Sequence, residues 1–161
     1  MKSLTLVAIV LFFVAFAGVY FYNSSQAENN GELFQFKPPY AFVPGDMLST
    51  FNAFFFVFIV SLLLFGMGSV VSMPLEGLKY GTLFYGYVNG VITGFHFFDL
   101  LFVIPQLMAC VAATTLAAGL ILDYRGKTSL FPYWNSAVRY FAFGLFITII
   151  LLGIRPFLVG L

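Results

Sequence analysis

The chain has 161 residues, of which 61% are hydrophobic and only 8% are charged. Soluble domains carry roughly a quarter charged residues, so this composition excludes a water-soluble globule and predicts a protein embedded in a lipid bilayer. The net charge is +1 and the seven Lys and Arg are scattered, which argues against a nucleic-acid partner. At roughly 20 apolar residues per span, the length allows four or five membrane helices.

The apolar runs predict an all-α membrane protein, a single integral membrane domain built as a bundle of about five transmembrane helices. One of these spans is short and rich in glycine. The runs cover residues 4–22, 48–73, 80–95, 99–122 and 136–154, with an external loop over 23–46. We expect Pro74 to end the second span and Glu76 with Lys79 to mark a short return to water. We expect Pro105 to interrupt the fourth.

The first span and the loop after it carry two further expectations. Leu4–Tyr22 reads as an uncleaved span, with a signal peptide as the alternative because Ser25-Gln26-Ala27 resembles a cleavage site. In the loop, four aromatic residues predict an amphipathic lip at the membrane surface: Phe34, Phe36, Tyr40 and Phe42. Asn23 opens a glycosylation motif, but we expect it to be unused because it lies so close to the span.

The stretch from Gly77 to Gly94, GLKYGTLFYGYVNGVITG, predicts close helix packing. Gly86, Gly90 and Gly94 recur every four residues and would share one face of a helix. Small residues on such a face let another helix approach closely. The expected mate is the small-residue half-helix 109–119, through Ala113 and Gly119. The alternative is a homo-oligomer, since Gly-x-x-x-Gly is also a dimerisation signature.

The distribution of charge predicts the orientation. With a cytoplasmic N-terminus and five spans, most basic residues face inward: Lys2, Lys79, Arg125, Lys127 and Arg139. Lys37 and Arg155 then face outward. This excess of positive charge on the inside is typical of membrane proteins and indicates a multi-pass protein of the cell membrane with an external C-terminus.

No catalytic constellation is visible in the sequence, and we predict no enzyme activity, no cofactor and no metal site. Every ionisable residue is expected at the end of a span. His96, followed by Asp99, reads as a helix-end residue, with a proton shuttle or metal ligand as the alternative. Cys110 reads as a small hydrophobe. Three amides are expected to form hydrogen bonds between helices, each contributing roughly 0.5–2 kcal/mol, with a substrate site as the alternative: Asn52, Asn89 and Gln106.

Several of these residues together resemble the stage II sporulation protein M-like (domain-of-unknown-function 95) integral membrane proteins. The resemblance covers about residues 50–122. It rests on Asn52, the Gly66/Gly68 pair, Asn89-Gly90 with Gly94, and Pro105 followed by a small-residue helix ending at Gly119. Members typically follow that proline with His-Gly and then a glutamate, where this chain has Gln106, Leu107 and Cys110. The resemblance implies a scaffold, an accessory membrane protein or a distant permease-like component.

The leading hypothesis is therefore a non-enzymatic membrane scaffold or accessory subunit of a larger complex, with other integral membrane proteins as partners. One alternative is a permease-like transport component that uses the glycine-rich segment as a gate, because short interrupted segments line transporter sites. Another is a small, cofactor-free subunit of a respiratory or secretion complex.

Overall fold

The structure, a computed structural model, describes residues 2–28, 32–35, 46–92 and 94–159. All regular elements within these ranges are helical, which confirms the predicted all-α class. The five α-helices are α1 (Lys2–Glu28), α2 (Met47–Leu63), α3 (Gly68–Val88), α4 (Val103–Tyr124) and α5 (Phe131–Val159), and a 3-10 helix, Phe97–Phe102, leads into α4. Among the described residues, three stretches are long and apolar enough to cross a membrane: Thr5–Glu28, Phe97–Tyr124 and Phe131–Leu158.

The glycine seam of the bundle joins α1 to α3. A Cβ atom placed on Gly81 would lie 2.6 Å from the Phe16 carbonyl oxygen, and one on Gly77 would meet Ala15 at 3.0 Å. The two backbones therefore approach closely because neither glycine has a side chain. We expected the small-residue half of α4 to pack against the glycine segment. For Gly77 and Gly81 this expectation is wrong, because both pack against α1.

A second close pairing joins α4 to α5. A Cβ atom on Gly119 would lie 2.8 Å from the Tyr133 ring, and one on Gly144 would lie 3.0 Å from Met108. As residue numbers rise along α4 they fall along α5, so these helices are antiparallel. Aromatic rings of α2 complete the core, with Phe58 and Phe141 centroids 4.7 Å apart.

Successive helices run in alternating directions. Phe12 packs on Tyr80 and Tyr20 packs on Tyr85, so α1 and α3 are parallel. The tight turn between Leu63 and Gly68 makes α2 antiparallel to α3. The loop before α4 and the C-terminal end of α5 consequently lie at the same end of the bundle.

The predicted end of the second span, at residue 73, is wrong. The helix stops at Leu63, where Phe65 (φ +51°) and Gly66 (φ +85°) reverse the chain. Gly66 adopts this left-handed conformation without steric cost. Pro74 does not break the chain but lies inside α3, because a proline within a bundle is tolerated when neighbouring helices hold the segment.

The short glycine-rich span is also wrong. Its first half belongs to α3, which has 21 residues and is about 32 Å long at 1.5 Å per residue. Its second half is a loop, in which Gly90 (φ +70°) and Gly94 (φ +94°) adopt left-handed conformations, and a Cβ atom placed on either would meet nothing within 4 Å. Gly86, Gly90 and Gly94 therefore share no helix face.

The remaining boundaries differ by smaller amounts. Pro105 does not interrupt a helix but occupies the first turn of α4, where a missing N–H costs no hydrogen bond. Asn23 lies in α1 rather than in a loop, and its side chain binds both the N–H and the carbonyl of Phe34 at 2.7 and 2.9 Å. Of the aromatic lip, only Phe34 falls within the described residues, and it is exposed.

Candidate functional site

One face of α3 is polar and faces the interior. Ser69, Ser72, Glu76 and Lys79 follow each other at intervals of three, four and three residues, which places them on one side of a helix. All four are buried. The prediction that Glu76 and Lys79 return to water is wrong, since both lie near the middle of α3.

Glu76 and Lys79 form a buried ion pair within α3. Their side chains are only 1% and 2% exposed. Removing two charges from water costs several kcal/mol per ion, which a close partner offsets only in good geometry. Lys and Glu are almost never fully buried unless they are paired, and charges inside membrane-spanning proteins commonly mark a functional site. The pair is therefore the chemical centre of the candidate site.

Tyr80 connects the ion pair to α4. The Lys79 ammonium lies 4.3 Å from the centroid of the Tyr80 ring, within the range of a cation–π contact. On the other side, the Gln106 amide nitrogen lies 3.5 Å from the Tyr80 hydroxyl. Gln106 thus contacts another helix, at the long limit for a hydrogen bond.

A layer of small polar groups lies on the other side of Glu76, toward the turn between α2 and α3. The Ser61 and Ser72 hydroxyls are 3.4 Å apart, and the Ser69 hydroxyl donates to the Gly66 carbonyl at 2.8 Å. Cys110 is a free, buried thiol beside Ser61 and Ser69. No strong base contacts it among these groups, so the layer joins helices and offers no activated nucleophile.

A second ion pair closes the opposite end of the bundle. Arg155 of α5 binds Asp99 through Nε and Nη2, at 2.6 and 3.0 Å, and Nη2 also donates to the Gly94 carbonyl at 2.6 Å. This fork is among the strongest ion-pair geometries. Asp99 additionally accepts the His96 backbone N–H at 2.9 Å, so it caps the 3-10 helix.

His96 therefore stands where its helix-end interpretation places it. Its ring packs against Tyr87 at 5.8 Å. Within the described part of the chain, no group of three or more His, Cys, Asp or Glu residues is placed to hold a metal ion. The arrangement around His96 and Asp99 positions a loop and the end of α5 relative to each other.

The other predicted packing and amide residues are dispersed. Ala113 and Gly119 are buried on α4, and Gly119 contacts α5 rather than the glycine segment. Gly86 is buried against Ile92, where the chain folds back on itself. Asn52 is exposed on α2, and Asn89 donates to the Tyr85 carbonyl of its own helix at 2.9 Å. Neither amide joins Gln106.

The sequence reasoning missed Glu76 and Lys79 because it placed a break at Pro74. A signal for them was present: the polar residues from Ser69 to Lys79 keep a helical period through the proline. That period predicts one continuous helix with a polar side.

Comparison with models of protein families, with curated proteins and with solved structures found no match for this chain.

Proposed function

We propose that this protein is a five-span integral membrane protein that serves as a non-enzymatic scaffold or accessory subunit, docking a helix of another membrane protein. The observation that carries this proposal is an open apolar groove between α1 and α4. Two adjoining cavities of about 500 and 410 Å³ form it. The large exposed side chains on its walls include Leu6, Phe13 and Ile104.

The shape of the groove favours a foreign helix over a second copy. Symmetric dimers bring the same patch of both copies together, and two grooves facing each other would leave a void. The glycines Gly77, Gly81, Gly119 and Gly144 are already covered within the chain, which argues against a dimer through them. A partner helix with bulky apolar side chains would fill the groove and bury its aromatic wall.

We also propose the orientation expected from the loop charges. Arg125 and Lys127 lie in the loop between α4 and α5, and Arg139 lies in the first half of α5. With these residues on the cytoplasmic side, the Asp99–Arg155 end is external. Lys79 no longer contributes, because it is buried. The resemblance to the sporulation-protein family belongs to the same proposal. Three of the glycines on which it rests, Gly66, Gly90 and Gly94, lie at turns of the bundle.

Photo-crosslinking in native membranes tests the docking. A photoreactive phenylalanine analogue replaces Phe13 in the groove or, as the matched control, Phe143 on the outer side of α5; both are more than half exposed. We expect position 13, and not 143, to give one discrete adduct that mass spectrometry identifies as a membrane protein. Ile104→Trp should fill the groove and abolish the adduct. Lipid adducts alone at both positions, or a dimer of this chain, would refute the proposal.

A permease-like transport component is the second candidate, and the Glu76–Lys79 pair favours it. Charges inside transporter bundles line ion and substrate paths. This candidate predicts that a cysteine at position 106 reacts with a membrane-impermeant thiol reagent in a chain whose Cys110 is replaced by Ala. Absence of labelling, together with normal folding, would contradict it.

A further inference from the structure

Gln106 is buried with one hydrogen-bonding atom left over. The residue is 2% exposed, and its Oε1 atom has no hydrogen-bond partner among the described residues. Exchanging the oxygen and nitrogen positions of the amide does not remove the problem, because the single contact with Tyr80 then falls to the oxygen and the nitrogen is left over. A buried amide in this state carries a desolvation penalty. We therefore expect a ligand to bind there and form the missing hydrogen bond.

The spacing around Tyr80 indicates where that ligand binds. The Tyr80 hydroxyl and the Gln106 nitrogen are 3.5 Å apart, whereas direct hydrogen bonds of this kind are usually about 2.9 Å. A direct hydrogen bond at this long limit is weak, and ordered water commonly completes the hydrogen bonding of such polar groups. Ala109, three residues after Gln106 on α4, is small and fully buried.

The charges of the cluster define the class of ligand. Glu76 and Lys79 neutralise each other, so an added cation would be repelled by the ammonium and an added anion by the carboxylate. An apolar ligand would leave Gln106 Oε1 unsatisfied. A small neutral molecule that both donates and accepts hydrogen bonds fits, and buried waters typically have two to four polar partners.

We propose that a water molecule binds between Gln106 and Tyr80, and that it connects the buried Glu76–Lys79 pair with the end of the bundle that carries Asp99. Asp99 precedes Gln106 by seven residues, and the Tyr80 ring packs at 6.4 Å on Phe95, in the loop that leads to Asp99. Its partner Arg155 is 14% exposed, so this end meets the surface. Among the described residues, the groups that line the opposite side are uncharged hydroxyls and a thiol. The proposed water therefore lies on the Asp99 side of the ion pair.

Solid-state NMR of the full chain in lipid bilayers tests this directly. Magnetisation is transferred from water to ¹⁵N-labelled glutamine side chains, with the Gln106 signal assigned by its loss in Gln106→Met. We expect the Gln106 amide to receive it as fast as the exposed Gln35. Transfer as slow as that to the Ala109 backbone amide, which is buried on the same helix, would overturn the proposal.

Two variants extend the test, and the second does not depend on the NMR assignment. Tyr80→Phe removes only the hydroxyl, keeps the ring beneath Lys79, and should slow the transfer to Gln106; an unchanged rate would contradict the site. Gln106→Met keeps the volume and removes the acceptor. It should lower the melting temperature by about 2–4 °C if water is lost, and an unchanged or higher melting temperature would show a dry, unsatisfied amide instead. Asn52→Leu, an exposed amide, is the control.

Discussion

Breaking the buried ion pair should destabilise the protein far more than an ion pair of the same spacing on a surface. Glu76→Gln keeps the size of the side chain but removes the charge that balances Lys79. Exposed pairs three or four residues apart contribute about 0.3–0.5 kcal/mol. Here the side chains are 1% and 2% exposed, so the loss should be that of an uncompensated buried charge, about 3–5 kcal/mol.

The double variant provides the decisive comparison. Lys79→Met alone should destabilise the fold as Glu76→Gln does, because it leaves a buried carboxylate without its ammonium. Together the two substitutions leave no uncompensated charge, and replacing a buried pair by neutral groups is often neutral or stabilising. We therefore expect the double variant to be more stable than either single variant.

Thermal unfolding in lipid nanodiscs, followed by circular dichroism, measures these effects. For a chain of this size, 1 kcal/mol corresponds to about 2–4 °C in melting temperature, so each single variant should melt about 6–20 °C lower. Asp123→Asn, at the exposed end of α4, and Lys127→Met, in the exposed loop after it, are matched controls and should change little. Single variants that behave like these controls, or a double variant whose loss equals the sum of the two, would refute the buried-pair reasoning.

Two further predictions concern the glycine seam between α1 and α3 and the Asp99–Arg155 ion pair. Gly81→Ala should lower the free energy of unfolding by about 1–3 kcal/mol through overpacking, because its Cβ would lie 2.6 Å from the Phe16 carbonyl oxygen. Gly153→Ala has open space around its Cβ and should be neutral or slightly stabilising in the same melting assay. Arg155→Gln should speed backbone hydrogen exchange at residues 94–99, since three hydrogen bonds are lost. Arg139→Gln, at an exposed position of α5, should leave that exchange unchanged. If Gly81→Ala melted at the same temperature as Gly153→Ala, or if Arg155→Gln exchanged at the same rate as Arg139→Gln, the packing described would be contradicted.

The apolar composition and the long hydrophobic runs determined much of the architecture. They predict helices, because a chain this poor in charge can satisfy its backbone groups in a bilayer only by internal hydrogen bonds. The described part of the chain has five α-helices, and the predicted runs at α1, α4 and α5 coincide with three stretches of spanning length. The contact of Gln106 with another helix was also predicted from an amide inside an apolar run.

The interior of the bundle was decided by tertiary packing. Pro74 is a helix breaker by itself, yet α3 continues through it because other helices hold it on both sides. Once α3 is continuous, Glu76 and Lys79 move from an expected loop to the buried middle of the bundle. Likewise, a four-residue glycine spacing does not reveal whether each glycine packs or turns. Gly77 and Gly81 face another backbone, whereas Gly90 and Gly94 are needed for positive φ, and only the path of the whole chain separates these two roles.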